Sequence, residues 1–304
     1  MSTWDYCEGE TPVRFSLASL DPFSINWEAK LRDLAPDIRN LTGRNLDTPN
    51  FYAQSFTFTT SHPQQLHHQI SNFLPSSSRS ATAFFTGKLA QHGPRLIISD
   101  VDSTFINEEV IEVLARFAGK EAEIRAITTA AMRGELDFSK SLHQRVAALK
   151  DLPAQVCTDI LPLLSFTPGV ENLLAAGRAQ GVKFALVSGG FMEIVENLAQ
   201  SCQIDYFLAN NLEKSAGKLT GNTCGDIIDA QAKAIALKKW AKTENIDLQL
   251  TLAVGDGAND LQMLDAAGYG VAFCAKPLVN EHADTALPFR RLDALAALCG
   301  WDIP

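Results

Sequence analysis

Positive charge is in short supply in this chain. Its 26 lysines and arginines face 35 aspartates and glutamates, a formal net charge of −9 with a pI near 5.2. Such an acidic balance disfavours nucleic acid or an anionic membrane as the main partner. It leaves room for an anionic substrate, because a metal ion or a few local lysines reverse the sign inside a pocket. Cysteine is also sparse. Cys7, Cys157, Cys202, Cys224, Cys274 and Cys299 show no CxxC spacing, so reduced, buried thiols are expected rather than disulfides or a cysteine metal site. No apolar run approaches the roughly 20 residues of a membrane helix. The opening M-S-T-W-D-Y-C-E-G-E has neither the basic nor the apolar segment of a signal peptide. The expectation is a cytoplasmic protein. No internal repeat is present. The 304 residues, 46% hydrophobic and 20% charged, suit one large globular domain plus a smaller one.

The composition changes between residues 75 and 95. Pro75-Ser76-Ser77-Ser78-Arg79-Ser80 reads as a loop or linker. Ahead of it, Phe51 to Thr60 has strand composition, with Phe56 and Phe58 alternating with threonine. Leu66, Ile70, Phe73 and Leu74 share one helical face. Residues 1–85 are therefore expected to form a small α/β module with a regulatory role. The adjacent His67 and His68 point in different directions on a helix and read as surface residues.

From residue 93 to 304, strands alternate with helices. Apolar runs end at Asp100, at Ser188 (K-F-A-L-V-S) and at Asp256 (L-T-L-A-V-G-D), and another covers Gly270 to Phe273. Short buried strands separated by amphipathic helices predict an α/β domain with a doubly wound parallel sheet. Three helical segments, near 108–118, 121–133 and 139–163, lie between the first two strands. They are too much for one crossover and read as a helical cap inserted at about 108–165, covering the sheet edge.

Ligands of open α/β sheets bind beyond the carboxyl ends of the strands. Asp100, Asp102, Ser188, Asp256 and Asp260 should converge there. Four carboxylates together repel one another, and oxygen ligands suit a cation such as Mg2+. Residues two apart in an extended segment point the same way. Asp100 can then attack a group while Asp102 serves the atom that leaves, since a carboxylate is a competent nucleophile towards phosphorus and a second one can act as acid and base. Each pattern has a blander reading when taken alone. Asp-X-Asp after a strand also caps helices, Ser-Gly-Gly also makes tight turns, and a lysine on an amphipathic helix is usually solvated.

D-V-D-S-T, the S-G-G strand end, a later lysine and G-D-G-A-N-D resemble, in order, the four motifs of the haloacid dehalogenase superfamily. D-V-D-S-T-F-I-N-E-E, A-M-R-G-E-L-D-F-S-K-S-L-H-Q-R-V, L-K-D-L-P, V-S-G-G-F, G-K-L-T-G and V-G-D-G-A-N-D-L-Q-M-L followed by A-F-C-A-K-P resemble the phosphoserine phosphatases, over about Leu96 to Leu298. The resemblance implies a Mg2+-dependent hydrolysis of L-phosphoserine through an aspartyl-phosphate, the last step of serine biosynthesis. It implies Asp100 as nucleophile and Asp102 as general acid/base. Metal ligands would be Asp100, Asp256 and the backbone carbonyl of Asp102, with Asp260 supporting them. Ser188, Gly189, Lys233 and Asn259 would hold the phosphate. Glu109 would meet the substrate ammonium, Arg145 its carboxylate, and Met132 and Phe138 would close over it. Val101, Phe105 and Gln231 depart from the family pattern without removing a reacting group, and the first 80 or so residues have no specific match.

Other functions stay open at this point. The same chemistry could serve another small phosphomonoester. A dehalogenase would have no use for Asp102, because a halide leaves without a proton. A non-catalytic phospho-ligand sensor would need no nucleophile. A homodimer is compatible with the sequence.

Overall fold

In the computed structural model, residues 9–74, 78–132 and 137–304 are described. T-P-V-R-F-S-L-A-S alternates large apolar residues with Arg, Ser and Ala and forms β1 (Thr11–Ser19). It is followed by α1 (Trp27–Leu34), whose Ala29 N–H is capped by the Asn26 side chain at 3.1 Å. β2 (Arg39–Asn45), β3 (Tyr52–Thr60), α2 (Pro63–Phe73) and β4 (Ser80–Thr86) complete a four-stranded antiparallel sheet of order β2-β3-β1-β4. This is the split β-α-β arrangement. Val13, Phe15, Leu17, Phe58 and Phe84 pack on one face against Trp27, Leu31, Leu66 and Ile70. The other face, with Ala18, Ala53, Ala81, Ala83 and Phe85, belongs to one apolar cluster with Ile97, Leu295 and Trp301.

The stretch 75–95 is thus not a linker throughout. It contains β4 and α3 (Gly87–His92), and only residues 93–95 precede the next strand. A buried seam takes its place. The Arg14 guanidinium donates to the carbonyls of Ala90 and Cys299, and the Phe84 N–H donates to the Tyr269 hydroxyl at 3.2 Å. His67 and His68 lie at the surface as expected, with His67 stacked on Phe84.

The second sheet opens with β5 (Leu96–Ser99), four buried residues. The inserted helices follow: α4 (Val110–Ala118), α5 (Glu121–Met132), α6 (Phe138–Ala147) and the short α7 (Val156–Asp159). The helix expected over 139–163 is broken. Asp151 has φ 69° and Pro153 follows Leu152; proline disfavours helical backbone in the residue before it. The two legs of the insertion meet in a bridge between Ile106 and Phe166.

The chain returns through α8 (Val170–Ala179), β6 (Lys183–Phe191), α9 (Met192–Ser201), β7 (Tyr206–Ser215), β8 (Lys218–Cys224), α10 (Ala230–Thr243), β9 (Thr251–Gly255), α11 (Leu261–Ala266), β10 (Tyr269–Phe273), α12 (Pro277–His282), β11 (Thr285–Leu287) and α13 (Ala294–Leu298). The sheet order is β11-β10-β9-β5-β6-β7-β8. All neighbours are parallel except β7 and β8, so the doubly wound sheet carries one antiparallel edge strand. Ala216 and Gly217, both at positive φ, form the tight turn that makes this hairpin. Among the described residues, no helix is long and apolar enough to cross a membrane. The five described cysteines are free thiols, but only Cys157 and Cys299 are buried.

Candidate active site

β5 lies between β6 and β9. The chain leaves it in opposite directions to reach those neighbours, which makes its carboxyl end the switch point where a crevice opens. Asp100 sits there, 4% exposed, its N–H donating to Val254 O at 2.9 Å. A single wide turn follows over Val101–Phe105, closed by the Ile106 N–H on Val101 O at 3.0 Å, with Ser103 at φ 57°. On one side, β6 continues past the expected end at Ser188 to Phe191. Its pairing with β7 is interrupted between Val187 and Phe191, and this irregularity releases residues 188–190 from the ladder. On the other side, β9 ends at Gly255 and Asp256 follows directly.

Lys233 crosses beneath these strand ends from α10. It is fully buried, with Nζ 2.6 Å from Asp100 Oδ1 and 2.7 Å from Asp260 Oδ1. The solvated reading of this lysine is therefore wrong. The two carboxylates hold its ammonium well above the ordinary lysine range despite the cost of burial. Burial, and then the charge of Asp260, push Asp100 well above the usual carboxylate range. Burial and the same neighbour raise Asp256 to about 6.

The glycines of G-D-G-A-N-D have a steric reason. A Cβ on Gly255 would lie 2.4 Å from Asp260 Cγ, and one on Gly257 would lie 2.3 Å from Asn259 Oδ1. Asp260 Oδ2 accepts the Gly257 N–H at 3.0 Å, which ties the loop to its own carboxylate. Asn259 is half-buried on the same turn.

Asp102 also performs the capping role that its pattern allowed. Its Oδ1 accepts the Val110 N–H at the start of α4 at 2.7 Å. Its Oδ2 accepts from Ser188 Oγ at 3.0 Å, and that hydroxyl accepts the Gly190 N–H at 2.7 Å. Burial raises the Asp102 carboxyl although both hydrogen bonds oppose the shift. A side chain on Gly190 would collide here, 2.9 Å from both Asp102 Oδ2 and Ser188 Oγ.

The insertion supplies the opposite wall. Glu109 Oε1 accepts from Ser103 Oγ at 2.7 Å. Glu109 keeps contact with water, yet the surrounding protein, and then the charge of Asp102, raise its carboxyl to about 7. Arg145, on α6, lies within electrostatic reach of both Glu109 and Asp102, and burial lowers its guanidinium. Phe138, at the start of α6, stacks over the β6 turn so closely that a Cβ on Gly189 would meet its ring at 2.8 Å. Met132 ends α5, and its side chain lies outside the described residues.

Oxygens of Asp100, Asp256 and Asp260 come within 4.8 Å of one another. Three carboxylates face one ammonium, an excess of two negative charges in a largely buried place. A divalent cation fits such a hard donor set. Asp260 already has one oxygen on Lys233 and the other on the Gly257 N–H, so Asp100 and Asp256 are the side chains placed to hold it.

The crowding predicts a pH-dependent instability of the metal-free chain. The folded pKa of Asp256, about 6, is above its ordinary 3.8. The cost of ionising it is therefore absent below about pH 4 and fully expressed above about pH 6. Asp256→Asn should stabilise the chelator-treated protein at pH 8 by an amount on the order of 2 kcal/mol, and by only about a third of that at pH 4.5. A melting gain of the same size at both pH values would refute charge crowding as the cause.

One buried group escaped the sequence reading. Asn210, on β7 and 1% exposed, joins Gly189 to Ile228. An asparagine inside an apolar strand is its only signal.

Comparison with known proteins agrees with this geometry. Residues 97–265 match the family model of the haloacid dehalogenase-like hydrolases. The phosphoserine phosphatase of Mycobacterium tuberculosis is 47% identical over 212 residues, 70% of this chain and 52% of that protein. The chain thus spans about half the length of that relative. A solved structure described as a phospho-aspartyl intermediate analogue of phosphoserine phosphatase is 42% identical with a TM-score of 0.64, covering 66% of this chain and 97% of that one. A haloacid-dehalogenase-family hydrolase from Salmonella enterica serovar Typhi is 29% identical with a TM-score of 0.77, covering 94% and 98%. That coverage takes in the N-terminal sheet as well. With its motifs brought together at one switch point and its core matched along most of the second sheet, the chain belongs to the haloacid dehalogenase-like hydrolase family.

Proposed function

We propose that the chain hydrolyses L-phosphoserine to L-serine and phosphate through an aspartyl-phosphate on Asp100, the closing step of serine synthesis. The observation that carries this reading is the facing of two sets of groups. Asp100 and Lys233 are bonded at 2.6 Å below, and Glu109 and Arg145, on the insertion, lie within electrostatic reach of each other and of Asp102. A phosphate needs the first set. An ammonium and a carboxylate on one carbon need the second, because an acid and a guanidinium fork match an amino-acid headgroup.

The steps follow from the positions of the side chains. One oxygen of Asp100 is held by Lys233, and the other attacks phosphorus. As the new bond to Asp100 forms, the bond to the serine oxygen breaks, and Asp102 gives that oxygen a proton. The raised affinity of Asp102 for its proton suits this role. Asp102 then takes a proton from water as the water attacks the acyl phosphate, and Asp100 is released unchanged. Ser188 through its hydroxyl, Gly189 through its N–H, Lys233 and Asn259 hold the phosphoryl oxygens, so the step is mainly positioning and charge stabilisation. Magnesium would be held by Asp100, Asp256 and the backbone carbonyl of Asp102, and would neutralise charge on the phosphate and the nucleophile. Phe138 closes over the substrate and excludes water. Residues 93–304 carry this chemistry, and residues 1–85 form a module that supplies none of the reacting groups. A cytoplasmic setting belongs to the same proposal.

The test is phosphate release from L-phosphoserine with and without magnesium, beside a panel of small phosphomonoesters. Magnesium-dependent release that strongly favours phosphoserine is expected. Activity across the panel without that preference would discard the substrate and keep the chemistry. Arg145→Ala should raise KM for phosphoserine by about a hundredfold, the effect of losing a charge-assisted bidentate contact, and change KM for an aryl phosphate little. Equal losses on the two substrates would show that Arg145 does not read the carboxylate.

A further inference from the structure

We propose that Asn210 is a positioning residue for the phosphoryl site, acting on the peptide between Gly189 and Gly190. The inference rests on the phosphoryl-transfer reading above. Asn210 lies on β7, beneath the β6 turn, and faces no substrate. Its amide is used in one orientation only: Nδ2 donates to Gly189 O at 2.9 Å, and Oδ1 accepts the Ile228 N–H at 2.8 Å. The carbonyl of Gly189 and the N–H of Gly190 belong to one planar, trans peptide and point in opposite directions. Pinning the carbonyl therefore aims the N–H, which donates to Ser188 Oγ at 2.7 Å. With a lone pair of Oγ used in this way, the Ser188 hydroxyl hydrogen is turned towards Asp102 Oδ2, 3.0 Å away. The chain of bonds runs from Ile228 through Asn210, the Gly189–Gly190 peptide and Ser188 to the acid/base carboxyl.

The need for such a brace comes from the irregularity in β6. Between Val187 and Phe191 the strand has no regular pairing with β7, so its peptides lack the ladder bonds that would fix their planes. Two glycines in succession widen the conformational choice further. Asn210 replaces the missing ladder bond with one from a side chain. Its second bond reaches the segment before α10, where Asp229 caps the helix that carries Lys233 by accepting the Ala232 N–H at 2.9 Å. One buried amide thus ties the turn that meets the phosphate to the segment ahead of that helix, while the helix start itself is fixed by Asp229.

The test combines kinetics with amide exchange on the full chain. In Asn210→Ala, and in the nearly isosteric Asn210→Asp, kcat is expected to fall by about a hundredfold, the cost of a misplacement near 1 Å at a reacting group. The fall should be the same for phosphoserine and an aryl phosphate. In a Ser188→Ala background the same substitutions should add little, because the effect runs through Ser188. By NMR, hydrogen exchange at the Gly190 N–H should quicken by about tenfold or more, while Leu186 and Val187 in the regular part of β6 keep their protection. Losses that multiply in the double variant, or unchanged Gly190 exchange in a folded variant, would overturn the inference. A wild-type chain that releases no phosphate would overturn the proposed function instead, and the Gly190 exchange would still decide the role of Asn210.

Discussion

Asp100→Asn is expected to abolish phosphate release, with a loss of at least about 10⁴-fold in kcat, as when the nucleophile of a covalent mechanism is removed. The amide is nearly isosteric, so the fold should survive. It should in fact melt higher in metal-free buffer. Burial, Asp260 and Asp256 all raise the Asp100 carboxyl, so at neutral pH its ionised form costs stability that an uncharged amide does not. Loss of turnover with a gain in stability is the signature of a group kept for chemistry. It separates Asp100 from a structural ion-pair partner, whose removal would leave the Lys233 ammonium buried and lower the melting temperature. Retained turnover in purified Asp100→Asn would sink the aspartyl-phosphate mechanism. A sharp drop in melting temperature would show that the pair with Lys233 outweighs the crowding.

Lys233→Met is expected to damage both stability and catalysis. Methionine keeps the length of the stem, so packing along α10 is largely preserved. What disappears is the ammonium bonded to Asp100 at 2.6 Å and to Asp260 at 2.7 Å. Removing one partner of a buried ion pair typically costs 3–5 kcal/mol, because the remaining charge is stranded. For a chain of this length that is a drop of roughly 5–8 °C in melting temperature.

The sign of the pH dependence follows from the stranded groups. Without Lys233 the Asp100 carboxylate takes up a proton more readily, so the deficit should be largest near pH 8 and should narrow as pH falls towards 5. Asp260→Asn added to Lys233→Met should recover part of the loss, since it removes one uncompensated charge. Equal melting of Lys233→Met and wild type at pH 8 would contradict the buried network. Turnover should be lost in the single and double variants alike, because neither restores a cation to the phosphate.

Much of the site was legible before any fold was known. An apolar run stopping on Asp100, another on Ser188 and a third on Asp256 place three strand ends together, because parallel strands in one sheet share a carboxyl edge. The insertion was legible from its length alone. The N-terminal half was harder. Only β3 stood out as a strand, although β1 alternates Val13, Phe15 and Leu17 with Arg14, Ser16 and Ala18 in the same way. β4 was hidden behind a serine-rich stretch that resembled a linker. The helix expected through residue 163 ended early, at a left-handed Asp151 and at Pro153.

The sequence by itself determined which groups gather at the strand ends and in what order along the chain they come, because the strands of one parallel sheet bring their carboxyl ends together. Tertiary structure alone decided their electrical state and their support. Lys233 looks like any lysine on an amphipathic helix until α10 packs under the strands and removes it from water. Gly190 and Gly255 look like turn glycines until Asp102 and Asp260 are seen occupying the space a side chain would need. Asn210 looks like a polar residue in the wrong strand until the gap in β6 gives it two backbone partners. Charge burial, close contact and a missing ladder bond are properties of chains folded against each other, and no local pattern encodes them.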